Sequence, residues 1–325
     1  MTTTTNQTVI DPVPVELLEK ELTADRLLRD TNKGGNKIYI VDAFSAPNVM
    51  REIGRLREIA FRAAGGGTGK DCDIDEFDTM DPPCRQLVVW DPEVKEIIGG
   101  YRFIPGNDIK IRPDGMPRIA TSHMFCFSER FLNDYLPYTI ELGRSFVRLE
   151  YQSTRVGVKA LYALDNLWDG LGALTVIYPD MRYLFGKVTM YPSYNAECRN
   201  MILYFLTKHF PDPDRLVWPM TPLTTHMDNE AMKRLFTHDT FKDDYKTLNK
   251  AIRDHGYNIP PLVNAYMSLS PSMRMFGTAI NDEFGNVEES GIFFVIDEIF
   301  EEKKGRHIGT FIPSHPLSDG TTSDN

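Results

Sequence analysis

The chain has 325 residues, 42% of them apolar and 11% aromatic, enough to bury one large core or two small ones. Its 46 acidic against 36 basic residues leave a formal charge of -10, which argues against a nucleic-acid partner, because phosphate binding needs a basic surface. Cys72, Cys84, Cys126 and Cys198 lack any paired spacing, so neither a disulfide framework nor a zinc site is expected.

Residues 1–35 hold a threonine run, a short amphipathic piece around Val15–Leu28 and an Asn-Lys-Gly-Gly break. They read as a flexible, loosely attached leader. Met1–Thr8 has neither the basic nor the apolar region of a secretory signal, and no apolar run approaches the length of a membrane span, so a cytoplasmic protein is expected. Lys37–Val41 alternates as a strand does, and Ala46–Ala64 then sets Val49, Ile53, Leu56, Ile59 and Ala60 at helical spacing. Glycine and aspartate dominate residues 65–83, which predicts a loop, and Gln86–Trp90 with Ile97–Phe103 predicts a hairpin. Thr139–Val147 and Lys187–Met190 predict strands, with one helix over 156–173 and another over Ala196–His209, stopped by Pro211. Helices are expected near Glu230–Phe236 and Phe241–His255, and a strand over Phe293–Ile296. This order points to an α/β, mixed α+β sheet. One unit is predicted over 36–308, its C-terminal extension starting near 211, followed by a polar, disordered tail over 309–325.

Two patterns suggest chemistry that the residues do not support. Gly65–Lys70 has the glycines of a phosphate loop, but Ala64 stands where glycine is needed and Asp71 where a magnesium-binding hydroxyl is needed. His123 and His226 have no companions at metal spacing, so no metal is predicted. Four other sites follow one another over about 90 residues. They are Arg57 with Phe61, the acidic cluster Asp73, Asp75, Glu76 and Asp78 around Phe77, Gly99-Gly100-Tyr101-Arg102, and Glu141-Leu142-Gly143-Arg144.

In that order the four sites resemble the acyl-carrier-protein-dependent amino acid N-acyltransferases of glycine-lipid and ornithine-lipid synthesis, which are relatives of the acyl-homoserine lactone synthases and often labelled hemolysin-like. The resemblance extends to Asp165–Ala173, Met190–Tyr194, Pro260–Leu262, Tyr266 and Asp282–Gly285, and looks closest to the glycine-lipid branch. It implies a GNAT-like fold with a C-terminal extension. It also implies transfer of a long 3-hydroxylated acyl chain from acyl carrier protein to the α-amine of glycine or ornithine. No cofactor is bound on this reading, because the phosphopantetheine thioester arrives on the carrier. A separate O-acyltransferase would then esterify the hydroxyl, and the amphiphilic product leaves peripheral contact with the inner membrane open.

Amide formation from a thioester needs a neutral amine held near the carbonyl and a group that accepts its proton. The resemblance gives that role to Glu141, with Arg144 beside it, and sets Arg57, Phe61, Asp75, Asp78 and Arg102 around the acceptor. The bland alternatives are a salt bridge between Glu141 and Arg144 and a plain helix-core position for Phe61. Between Leu142 and Ala160, Arg144, Arg148, Arg155 and Lys159 stand against Glu150 alone, a local +3. An acidic carrier protein could dock on Arg148, Arg155 and Lys159, or the patch could be a solvated basic face. Gln152–Ala160 has the residue types of a coenzyme A loop at shifted spacing, which weakens a coenzyme A assignment. Tyr151, Tyr191 and Tyr194 are the candidates for protonating the leaving thiolate. The competing functions are an acyl-homoserine lactone synthase, although those enzymes are shorter and lack the Pro260–Gly285 block, and a non-catalytic, hemolysin-like lipid or carrier-protein binder.

Overall fold

A computed structural model describes residues 6–152 and 158–313 of the chain. Helix α1 (Val15–Glu21) and strand β1 (Leu27–Asp30) lead into β2 (Lys37–Val41) and the long helix α2 (Pro47–Ala64). The one-turn helix α3 (Glu76–Thr79) interrupts the expected loop, and β3 (Arg85–Asp91) and β4 (Glu96–Pro105) form the hairpin. After the short β5 (Phe125–Phe127) come β6 (Thr139–Val147), α4 (Val158–Ile177), β7 (Tyr183–Met190) and α5 (Ala196–His209). The last third supplies β8 (Val217–Pro219), α6 (Asn229–Leu235), α7 (Phe241–Asp254), α8 (Pro261–Met267), β9 (Arg274–Asn281), β10 (Val287–Val295) and α9 (Glu301–His307).

Eight strands make one sheet in the order β1-β2-β3-β4-β6-β7-β10-β9, and β5 pairs with β8 apart from it. Every described ladder of the large sheet is antiparallel except β6 with β7, which α4 joins by a crossover as a parallel pair requires. Both faces are covered. Leu87 and Val89 of β3 face the core built with α4 and α5, while Val88 and Trp90 face the core built with α1 and α2. A strand buried on both sides reads as a continuous apolar run, which is why Gln86–Trp90 is legible without alternation. Residues beyond 211 continue the same sheet: β10 pairs with β7 from Val295/Tyr183 to Glu288/Met190. The sequence missed β9 and the first half of β10 because Arg274, Glu288 and Glu289 break the apolar pattern; each is satisfied by an ion pair.

The leader corrects the sequence reading. Residues 13–30 are packed: Val13, Leu18 and Leu22 lie in the core against α2, and β1 pairs with β2 as the sheet's edge. Helix α2 begins at Ala46, which has no side chain to cap it. The Glu21 carboxylate does so from α1, accepting from the backbone N–H of Asn48 at 3.2 Å and of Val49 at 2.8 Å. Arg29 donates to the carbonyls of Asp169 and His307, which ties β1 to α4 and α9. The amphipathic piece is legible in the sequence, but the surface it covers belongs to α2 and is set only by the tertiary packing. Of the predicted tail, residues 314–325 lie outside the described residues.

Leu18 is 3% exposed, so Leu18→Ala should cost about 2–5 kcal/mol in a urea unfolding experiment, as for other buried leucines. A loosely attached leader would instead show almost no change.

Candidate functional site

Three arginines converge from three elements on one acidic turn. Arg57 of α2 and Arg102 of β4 are fully buried, and Arg144 of β6 is nearly so. Asp75 and Asp78 are held in place by a reciprocal cap on α3: Asp75 accepts from the backbone N–H of Phe77 and Asp78, and Asp78 accepts from that of Asp75. The same carboxylates then take the guanidinium groups. Arg102 donates to Asp75 at 2.6 Å and lies 3.4 Å from Asp78; Arg57 lies 3.3 Å from Asp78 and also donates to Gln86. Arg144 reaches Asp73 at 3.0 Å and Asp75 at 3.4 Å. Burial would raise the Asp75 carboxyl, but Arg102 and Arg144 outweigh it and hold it well below the usual range. Asp73 goes the other way, because burial outweighs the pull of Arg144 and Arg57.

Residues three apart on a regular strand point to opposite faces, yet Glu141 and Arg144 border the same cavity. A bulge reconciles them. Arg102 pairs with Gly143 and Gly100 with Phe146, so Arg144 and Ser145 together oppose Tyr101 alone. Arg144 takes the extra turn with φ +47, a costly conformation for an arginine, and its guanidinium stacks on the Phe284 ring at 4.3 Å. Opposite the bulge the strands approach too closely for a side chain: a Cβ on Gly99 would come within 2.5 Å of the Phe146 carbonyl oxygen. This accounts for glycine in the Gly99–Arg102 motif.

The parallel ladder between β6 and β7 ends at Leu142 and Gly186. Beyond it the strands part, and Gly143–Ser145 face Lys187–Thr189 across the cavity. Glu141 sits where they part, 1% exposed, with Oε1 buried and lacking any hydrogen-bond partner. Burial pushes its carboxyl above the ordinary glutamate range, only partly offset by Arg102 and Lys187. A buried carboxylate with a raised pKa and no bound proton donor is suited to accept a proton from a substrate. The expected bland partner, Arg144, is instead committed to Asp73 and Asp75.

Two charges that sequence reasoning missed complete the cavity wall. Lys187 of β7 forms a 2.6 Å ion pair with Glu289 of β10, and Glu289 is further bonded by Asn281 and Thr189. The signal was available as single charges inside apolar strands, but their partnership depends on the β7/β10 register. Phe61 meets Phe284 edge to face at 5.0 Å, closing the cavity from α2. Of the three tyrosines singled out, Tyr191 alone borders the cavity; Tyr151 donates to Glu96 and Tyr194 to the Asn258 carbonyl.

The cavity therefore gathers Phe61, Arg102, Glu141 and Arg144. Arg57, Asp75 and Asp78 do not line it: Asp75 holds Arg102 and Arg144, and Asp78 holds Arg102 and Arg57. Arg148 is paired with Glu96 at 3.1 Å and with Glu150 at 3.1 Å, so it is not a free docking cation, and Glu96 reduces the local +3. Arg155 and the Lys159 side chain lie outside the described residues. The Gly65–Lys70 loop turns its N–H groups of Thr68 and Gly69 onto the Glu58 carboxylate, so its anion is internal. Among the described residues no cluster of three or more His, Cys, Asp or Glu could hold a metal.

A family model described as an acetyltransferase (GNAT) domain matches residues 56–161, in keeping with the mixed α/β sheet. A protein of Bacteroides thetaiotaomicron named glycine N(alpha)-acyltransferase is 66% identical over 308 residues, 95% of this chain and 91% of its own. One of the same name from Phocaeicola vulgatus is 61% identical over 315 residues, 97% of each. Solved acyl-homoserine lactone synthases align distantly. LasI has 16% identity over 48% of this chain and 74% of its own at a TM-score of 0.33, and the CoA-dependent BjaI has 12% over 87% and 97% at 0.36.

Asp78→Ala should cost about 3–5 kcal/mol of stability, since it strips a counter-ion from two buried arginines. Glu141→Gln should behave oppositely. Because the folded-state pKa of Glu141 is raised, the wild type loses stability as pH climbs from the ordinary glutamate value through the folded one. Glutamine escapes that loss, so its melting temperature should equal or exceed the wild type's at neutral pH, the gap narrowing as pH falls to the ordinary glutamate value.

Proposed function

The chain belongs to the glycine N(alpha)-acyltransferase family, and from that premise we propose that it carries a long, 3-hydroxylated acyl group from acyl carrier protein to the α-amine of glycine. The names of its relatives support glycine over ornithine. The product would be the first intermediate of an aminolipid, whose hydroxyl a separate O-acyltransferase then esterifies. The observation that carries the reading is the buried, unpartnered Glu141 at the parting of β6 and β7, beside Arg102 and Arg144.

The chemistry runs as follows. Glycine places its carboxylate toward Arg102, whose Nε is buried without a hydrogen-bond partner, with Arg144, held by Asp73 at 3.0 Å, adding positive charge beside it. Its amine then faces Glu141. The amine nitrogen forms a bond to the thioester carbon, Glu141 takes a proton from nitrogen, and the carbon–sulfur bond breaks to release the carrier's thiolate, which takes up a proton. Tyr191 is the cavity's hydroxyl for that last proton; burial and then Glu289 push its phenol up, so it stays protonated at neutral pH. The gap between β6 and β7 suits the phosphopantetheine arm, because the facing strand edges offer backbone amide groups to the amides of the arm. Phe61 and Phe284 shield the amine from water. The reaction would take place in the cytoplasm, with peripheral contact at the inner membrane where the lipid product is delivered; among the described residues no helix is long and apolar enough to cross a membrane.

Incubating the protein with 3-hydroxyacyl carrier protein and equal glycine and ornithine should yield N-acylglycine by mass spectrometry. Ornithine acylation at a comparable rate would overturn the acceptor assignment. Glu141→Gln should lower turnover by about 100- to 10,000-fold, the usual worth of a general base, and the deficit should shrink as pH supplies more free amine. Retention of more than about a tenth of wild-type turnover would move the base elsewhere.

Docking of an acidic carrier should weaken with ionic strength. Arg155→Glu with Lys159→Glu should raise KM for the carrier while leaving KM for glycine nearly unchanged, and equal changes in both constants would argue for a different docking face.

A further inference from the structure

The cavity has two ends of different chemistry. Around Glu141 it is charged, but away from the parted strands it runs between α4 and the α8 region and is walled by Trp168, Leu171, Leu184, Leu262, Leu269 and Phe294. A second recess lies on the outer side of the same helices, bordered by Leu164, Asp165, Ala265, Arg306 and His307. Trp168 and Leu269 border both. These two side chains are therefore the partition between the apolar arm and the outer recess.

The partition is braced. The Trp168 indole meets the Tyr266 ring edge to face at 5.7 Å, and the Tyr266 hydroxyl is hydrogen-bonded to that of Tyr101 at 3.1 Å. Tyr266 also packs on Phe294 of β10. On the far side the recess is polar: Arg306 pairs with Asp165 at 2.6 Å, and His307 is bonded to Asp169 at 2.7 Å. An apolar chain entering from the thioester end would thus run over aliphatic and aromatic surface and stop at an indole whose position is set by neighbours in β4, α8 and β10. An aromatic wall locked by packing stops a chain abruptly, because close-packed interiors yield little to one added methylene.

We propose that Trp168, with Leu269, is the end wall of the acyl site and sets the longest chain the enzyme transfers. This rests on the acyl-transfer reading above. Each additional carbon accommodated without strain gains the burial of one methylene, and each one too many meets the indole.

The test is kcat/KM over a homologous series of acyl carrier protein thioesters, from medium to long chains, for the wild type, Trp168→Phe, Trp168→Ala and Leu269→Ala. The wild type should fall off steeply past its optimum. In Trp168→Ala the first chains beyond that limit should gain about 10-fold relative to the wild-type optimum, the scale of one or two buried methylenes. Trp168→Phe should fall between, and Leu269→Ala should shift the profile the same way. A uniform loss across all chains, or an unchanged profile in a folded Trp168→Ala, overturns the assignment; if that variant does not fold, the Leu269→Ala profile decides. Failure of the wild type to transfer any chain would instead overturn the acyl-transfer reading itself.

Discussion

Three guanidinium groups buried at one end of a sheet must be neutralised where they stand, and the acidic turn at residues 73–78 exists in its observed shape because it does so. Arg57, Arg102 and Arg144 come from a helix and two strands, while Asp73, Asp75 and Asp78 come from a single turn whose own cap orients two of the carboxylates. A buried charge without a partner costs far more than a surface one, so the turn, α2, β4 and β6 cannot shift independently. The cluster fixes the relative position of the elements that hold Phe61 and Glu141. Burial raises the Asp73 carboxyl against the pull of Arg144 and Arg57, whereas Asp75 is held low by Arg102 and Arg144.

Glu141 stands outside this balance. The arginines near it are already bound, and the one remaining cation of the cavity, Lys187 among the described residues, is claimed by Glu289. Its lack of a hydrogen-bond partner is therefore a consequence of how completely the neighbouring charges are matched, and its raised pKa follows from burial that Arg102 and Lys187 offset only in part.

The C-terminal third is part of the same site. Strand β10 brings Glu289 to Lys187, and the turn before it sets the Phe284 ring under Arg144 and against Phe61. The glycine-rich loop after α2 touches this roof: a Cβ on Gly66 would come within 3.1 Å of Tyr191 and 3.2 Å of Val287. That contact explains a glycine run which otherwise resembles a phosphate loop. Helix α8 and the residues after it supply Tyr266 and Leu269, so the extension shapes both the charged end of the cavity and its apolar arm.

Composition and periodicity by themselves determined the α2 helix, the β3/β4 hairpin and the β6 and α5 boundaries, because each is written in local spacing. The family motifs singled out Arg57, Arg102, Glu141 and Arg144, while the cap at Asp75 and Asp78 lay inside a segment read as loop. Only the tertiary structure decided which of them border the cavity. The bulge that turns Arg144 to the side of Glu141 depends on the register with β4, the commitment of Arg144 to Asp73 and Asp75 depends on a turn far away in the chain, and Lys187 with Glu289 depends on strand pairing across the sheet. The docked leader is of the same kind, since its amphipathic helix is held by a face of α2 that local spacing does not specify. Local geometry sets which residues can face inward; long-range pairing sets what they face.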